Sequence, residues 1–492
     1  MSLQFIIGSS GIGKTHYACE QIIRESMENP QHLYYIIVPE QFTMQTQKNV
    51  VEMHPGKGIL NIDVLSFQRL AYRIFEETGG AREVLLDDTG KSMVLQKLVQ
   101  QHRKNLPYLG SQMNKPGYLD EVKSLISEFM QYDIREEELQ DMLGKTGEDS
   151  LLHMKMQDVG VLYQAFLQYL EGHYMTGEGV MDALKKAIPF SDKLKKSVLL
   201  LDGFTGFTPV QMNVIRELLN VCDKVLVTVT MDAEENPLQL GKPHQLFYMS
   251  RKMIHTLSGL TSNLDDPVLL KDERKGRFGN STSLDFLEKH LFRYRRSAYE
   301  KKQEEICIFA AESPVKELEE TARRIRRLVR EKNLKYGEIA VITGNLEAYK
   351  SIASQVFEES RIPYFLDEKH TILMNPFIEY IRAALEMVTK GFSYESVFRY
   401  LRCDMSGLGR EQVDMLENYV LALGIHGYKK WSEKWVRVYR TMDPEDIQVL
   451  NEYREIFVRE AEILAQGFSS GKRKVCEYCY SLYQFIASCE IQ

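Results

Sequence analysis

A chain of 492 residues has room for about three domains of roughly 150 residues each, and it needs no disulfide or metal staple to bury a core. Hydrophobic residues at 44% and charged residues at 27% match a soluble globular protein, while 31 Gly and 14 Pro are too few for a collagenous or linker-rich chain. The formal net charge of −7 gives no global attraction for nucleic acid, so any phosphate contact has to come from a local basic groove.

The first residues carry no basic n-region, and no apolar run approaches about 18 residues, which disfavours secretion and membrane spanning. The seven cysteines are Cys19, Cys222, Cys307, Cys403, Cys476, Cys479 and Cys489. They are odd in number and mostly scattered through apolar segments, as buried thiols in a reducing cytosol would be. The reading is a cytoplasmic protein with no membrane partner.

Along the chain, residues 3–7 form an apolar run, followed by a glycine loop and an amphipathic stretch to about Met27. Further apolar runs follow at 33–38 and 59–65. This alternation predicts a parallel sheet with covering helices. Residues 87–196 switch to spacings of three and four and predict a helical insertion. The Leu-rich and β-branched runs at 197–202 and 224–230 predict strands buried on both faces, where the first sheet resumes. Residues 232–300 read as polar and irregular with helical patches. The runs at 305–310 and 338–343 predict a second strand and helix alternation. After Gly391 the pattern is helical, and the sequence stops inside a helix-like run at 476–487, so the second α/β domain is expected to be incomplete.

Gly8-Ser9-Ser10-Gly11-Ile12-Gly13-Lys14-Thr15 fits G-x-x-x-x-G-K-[ST] directly after a predicted strand and before a predicted helix. Glycines let successive backbone N–H groups turn inward on a phosphate, and the following helix adds its positive end. Lys14 is then expected at the β/γ-phosphates of ATP, with the Thr15 hydroxyl on Mg²⁺. The plainer alternative is a glycine-rich turn with a surface lysine. Asp202, closing the run 197–202, is the candidate second Mg²⁺ carboxylate; the alternative is an Asp-Gly turn at a strand end. The next residue is Gly203 and not the Glu that would orient an attacking water, so nucleotide binding is better supported than turnover.

Other constellations weigh less. Cys476-Glu477-Tyr478-Cys479 is a single CxxC with no second pair nearby, and it reads as helix-packing thiols. His102, His153, His173 and His290 have no companions at metal spacing, so no structural metal is expected. Arg323–Arg327 interleaves with Glu317, Glu319 and Glu320 at helical spacing and reads as a solvated face. In Arg293-Tyr294-Arg295-Arg296, an aromatic between arginines suits phosphate contact and base stacking as well as a plain surface.

Taken together these residues resemble superfamily 1 DNA helicases, and within them the AddB subunits of helicase-nucleases that process double-strand breaks for recombination. Besides the phosphate loop, Val38-Pro39-Glu40-Gln41-Phe42-Thr43 resembles the second helicase motif. Val64-Leu65-Ser66-Phe67-Gln68-Arg69-Leu70-Ala71 resembles the following DNA-contacting motif. Leu201 to Gln211 is similar to the AddB version of the Walker B region. Ile339 to Thr343 with Ile362 to Asp367 resembles the start of a second motor domain. The resemblance implies an α/β protein with two RecA-like P-loop domains, each carrying a helical insertion. On that reading residues 1–86 and 197–300 form the first domain and 87–196 its insertion. Residues 301–390 begin the second domain, and 391–492 belong to its insertion.

The resemblance further implies that ATP and Mg²⁺ bind at Gly8 to Thr15 and Asp202. Gln41, Ser66, Phe67, Arg69, Arg293 and Arg295 become candidate contacts to single-stranded or double-stranded DNA. It also implies an AddA-type partner in a heterodimer, and an iron-sulfur cluster belonging to a nuclease region beyond Gln492. The signature expected after the strand at 224–230 reads Thr230-Met231-Asp232-Ala233, and the arginine expected after Val341 is Gly344. These departures, with Gly203, point to a DNA-scanning subunit and not an independent motor. The rivals are an active ATP-driven translocase, a non-enzymatic DNA-reading scaffold with a vestigial P-loop, and an unrelated P-loop kinase.

Overall fold

The computed structural model describes residues 2–80, 83–113, 115–147, 150–271, 276–293, 297–367, 372–439, 442–469 and 473–488. The chain divides into two compact units, residues 1–308 and 309–492.

The first unit is built on a six-stranded sheet in which every pairing is parallel. Five strands lie where apolar runs predict them: β1 (Ser2–Gly8), β2 (Leu33–Ile37), β3 (Ile62–Leu65), β6 (Ser197–Leu201) and β7 (Lys224–Thr230). The sixth, β8 (Val268–Leu270), lies in the stretch read as irregular. The spatial order is β3-β2-β6-β7-β1-β8. Alternate side chains of these strands point to opposite faces, so the sheet has two cores. On one face Leu3, Phe5, Ile7, Leu199, Leu201, Val225 and Val227 pack against helix α3 (Phe67–Thr78) and the helices Gly179–Ala187 and Pro209–Val221. On the other, Ile6, Tyr34, Ile36, Val198, Leu200 and Leu226 pack against helices α1 (Lys14–Glu28) and α2 (Thr43–Met53).

The helical insertion has its own core of Leu95, Leu98, Ile126, Leu162 and Phe166. It enters through β4 (Val84–Leu86) and leaves through β5 (Tyr174–Thr176), which pair in parallel and close its base. Lys91, only 6% exposed, reinforces that closure through a 3.0 Å ion pair with Glu178. A buried charge is tolerable there because its partner is buried with it.

In the second unit, helices Pro314–Lys332 and Leu346–Glu359 pack through Leu318, Ala322, Ile325, Ala353, Val356 and Phe357. A larger helical core follows around Tyr380, Tyr400, Tyr419, Trp431 and Phe457. The runs at 305–310, at the junction of the two units, and 338–343 are expected as strands, and the structure corrects this: neither run forms one, and no strand occurs among the described residues of the second unit. A strand needs neighbours for its N–H and C=O groups. Here Ile308, Ile342 and Phe365 are instead 94%, 92% and 89% exposed. No helix of the described residues is long and apolar enough to cross a membrane.

Candidate nucleotide site

β1 ends at Gly8, and the loop through Gly13 delivers the chain into α1 at Lys14. Gly13 is the N-cap at φ 97°, and Gly11 turns at φ 77°, both in the left-handed region that glycine enters without strain. A Cβ on Gly11 would also lie 3.0 Å from the Phe278 ring. No side chain caps α1 and no acid stands in its first turn, so its leading N–H groups and positive end are left for the loop. The Lys14 ammonium folds back over the loop, donating to the carbonyls of Gly8 at 3.1 Å and Ser9 at 2.8 Å. Burial pushes its pKa down, partly opposed by the carboxylates of Asp202 and Glu288. A phosphate here meets a poorly solvated positive charge.

Asp202 follows directly on β6. In the sheet β7 stands between β1 and β6, which places β6 about 10 Å from β1. The gap is bridged by side chains. The Thr15 hydroxyl donates to Asp202, 3.0 Å from each carboxylate oxygen. From the intervening strand, Thr228 Oγ1 donates to Asp202 Oδ1 at 2.6 Å. The Gly203 N–H in turn donates to Thr228 Oγ1 at 3.4 Å. Asp202 is 6% exposed and Thr228 5%. A hydroxyl and a carboxylate converging beside a phosphate-binding loop are the oxygen donors that a hard divalent cation takes.

These groups line a cleft of about 750 Å³, whose walls include Val38, Asn49 and Arg277. Burial, with a contribution from Asp202, pushes the Cys19 thiol on the same wall up to about 12, so it is a neutral packing group. Two larger hollows, about 970 Å³ beside Phe190 and about 870 Å³ beside Arg399, contain none of the loop residues.

Residues 5–288 match the family model described as the N-terminal region of ADDB, more than half of the chain. The chain belongs to the AddB family. Residues 279–466 match the model of the UvrD-like helicase C-terminal domain. Among curated relatives, the B-type subunit of the ATP-dependent helicase/deoxyribonuclease of Lachnoclostridium phytofermentans is 40% identical over 499 residues. That alignment covers 100% of this chain and 43% of the relative. The subunits of the same name from Clostridium novyi and Caldanaerobacter subterraneus are 33% and 34% identical, each over 99% of this chain and 42% of their own length. The AddB-family chain thus spans less than half the length of the curated relatives it matches.

The structure brings Gly8 to Thr15 and Asp202 into one site, and places the candidate DNA contacts differently. Gln41 and Arg69 are exposed; Arg69 pairs with Glu40 at 3.1 Å, beside Gln41. Ser66 and Phe67 are 5% and 6% exposed. The Ser66 hydroxyl caps α3 by accepting from the Arg69 N–H at 3.3 Å, and the Phe67 ring packs edge-on against Phe204 and Phe207. Ser66→Ala is therefore expected to cost about 1 kcal/mol of stability, measurable as a lower urea midpoint. Arg293 turns inward, donating twice to Asp232 at 3.0 and 2.8 Å and lying over the Phe247 ring. Arg295 lies outside the described residues.

Arg323 and Arg324 both pair with Glu320 on a solvated helix face. Of the cysteines, Cys19 and Cys222 are buried. Cys476 and Cys479 are exposed on helix Val475–Ser488 and are not the packing thiols expected of them. Cys489 lies outside the described residues. Thr228 was not found from sequence, although a polar residue inside the buried run Val225 to Val229 was its signal.

Proposed function

We propose that this AddB-family chain is the ATP–Mg²⁺- and DNA-binding, helicase-like portion of a helicase/nuclease subunit that processes double-strand breaks for recombinational repair. The sheet carrying the phosphate loop is read as one RecA-like domain, and residues 301–390 as the start of a second. An AddA-type subunit is its partner in the cytoplasm, and it scans DNA rather than driving itself along it. The observation that carries this reading is the Thr15 hydroxyl set 3.0 Å from the Asp202 carboxylate at the mouth of a fully matched phosphate loop.

Gly8 to Thr15 would hold the ATP phosphates, with Thr15 and Asp202 serving Mg²⁺, which supplies charge neutralisation for the terminal phosphates when bound. Thr228 fixes the Asp202 carboxylate from the neighbouring strand, so little side-chain freedom is lost on binding. With Gly203 beside Asp202, the site lacks the adjacent carboxylate that would orient water. Binding would then regulate the DNA grip by biasing conformations, without a power stroke.

Asp202→Asn tests this. Asparagine keeps an acceptor for Thr228 and removes the charge owed to the metal. The expected result is that Mg²⁺ no longer strengthens ATP binding, while binding in EDTA is at least as tight as wild type, since a charge that repels phosphate has been removed. Retained Mg²⁺ dependence would contradict the assignment of Asp202. DNA-stimulated hydrolysis by the wild type, abolished in Asp202→Asn, would instead establish the translocase.

A further inference from the structure

The phosphate loop already carries a negative charge from its own chain. Residues 277–278 clamp onto it: the Arg277 N–H donates to the Gly11 carbonyl at 2.8 Å, and the Phe278 ring lies against Gly11. The helix Thr282–His290 follows, capped by Ser281, whose hydroxyl accepts from the Leu284 N–H. This path brings Glu288 over the loop, where its Oε1 accepts a hydrogen bond from the Ser10 N–H at 3.3 Å. The Glu288 side chain is 16% exposed. The Arg293 guanidinium, 4.0 Å away, is committed to Asp232 through two hydrogen bonds. Glu288 therefore faces a backbone amide of the anion-binding loop that Lys14 closes.

We propose that Glu288 is an internal anion seated on the phosphate loop, which an incoming nucleotide must displace, and that it weakens nucleoside triphosphate binding more than diphosphate binding. The proposal rests on the reading of the loop as a nucleotide site. A lysine in this loop serves the β- and γ-phosphates. Glu288 sits on the Ser10 amide of the same loop, where like-charge repulsion acts on the phosphates the loop holds and falls hardest on the more highly charged triphosphate. Displacing Glu288 also pulls on the helix it belongs to and on the Arg293 to Asp232 tether, which gives nucleotide binding a route to residues far from the loop in sequence.

The test is titration of fluorescent ATP and ADP into the chain as it stands, comparing wild type with Glu288→Gln, Glu288→Ala and the same-helix control Asp285→Asn. Glu288→Gln keeps an acceptor for the Ser10 N–H and removes the charge. Both Glu288 variants are expected to bind ATP about tenfold more tightly and to gain clearly less for ADP, with Asp285→Asn close to wild type. If wild-type binding depends on Lys14 but neither Glu288 variant gains affinity for ATP, the internal anion is refuted and the nucleotide site stands. A loss of turnover without a gain in affinity also refutes it, assigning Glu288 to hydrolysis. If neither wild type nor Glu288→Gln binds nucleotide in a Lys14-dependent way, the loop reading and the proposal fall together. Binding that appears only in Glu288→Gln supports both.

Discussion

Replacing Lys14 with Ala is expected to weaken ATP binding by about ten- to a hundredfold, the loss of charge-assisted hydrogen bonds to phosphate worth roughly 1.5–3 kcal/mol. The fold should be retained. Among the described residues Lys14 donates to the loop carbonyls of Gly8 and Ser9 alone, and the apolar core residues of α1 are Ala18, Cys19, Ile22 and Ile23 on its later turns. Because burial disfavours its charge, removing the ammonium also removes an unfavourable feature of the free protein. Equilibrium titration beside thermal unfolding separates the two effects. Unchanged affinity in a folded Lys14→Ala would take the nucleotide away from this loop.

The largest expected loss of stability is in the second unit. Trp431 is 1% exposed and meets Phe457 edge-on at 4.6 Å, with Trp435 at 5.3 Å and Phe398 at 6.3 Å. Its backbone carbonyl accepts from the Arg454 guanidinium at 2.9 Å, and Arg454, itself 4% exposed, also donates to Asn451. Trp431→Ala leaves a cavity among rings that cannot all move to fill it, and is expected to cost about 3–5 kcal/mol. Trp431→Phe, which keeps part of the ring volume, should lose less than half as much. Trp435 is the only other tryptophan, so its fluorescence during urea unfolding reports on this core in both variants. A Trp431→Ala midpoint equal to wild type would mean that the aromatic cluster does not carry the unit's stability.

The first unit was largely legible because its strands are buried on both faces. Runs such as Val198 to Leu201 and Val225 to Val229 have no amphipathic pattern to confuse with a helix, and the phosphate loop announces itself by spacing. β4, β5 and β8 were not legible, since each has three residues and exists only because a neighbour happens to lie beside it. The same dependence on neighbours misled the reading in the other direction at 305–310 and 338–343, where apolar runs occur without a ladder.

Within the site, Asp202 was visible as the acid ending a buried run. Thr228 was not singled out, because its value comes from β7 lying between β1 and β6, a property of strand order that no single segment carries. Arg293 showed its charge in the sequence but not its partner Asp232, 61 positions away. Ser66 and Phe67 show the converse: a segment read as DNA-contacting has its hydroxyl spent on a helix cap and its ring on an aromatic cluster.

The most direct measurement is binding and turnover of fluorescent ATP by the purified chain with Mg²⁺, with and without single-stranded DNA, for wild type and Lys14→Ala. A DNA-scanning, nucleotide-regulated subunit predicts tight Lys14-dependent binding, negligible turnover, and an ATP affinity that shifts when DNA is added. Rapid DNA-stimulated hydrolysis, or nucleotide affinity indifferent to both Lys14 and DNA, would contradict it.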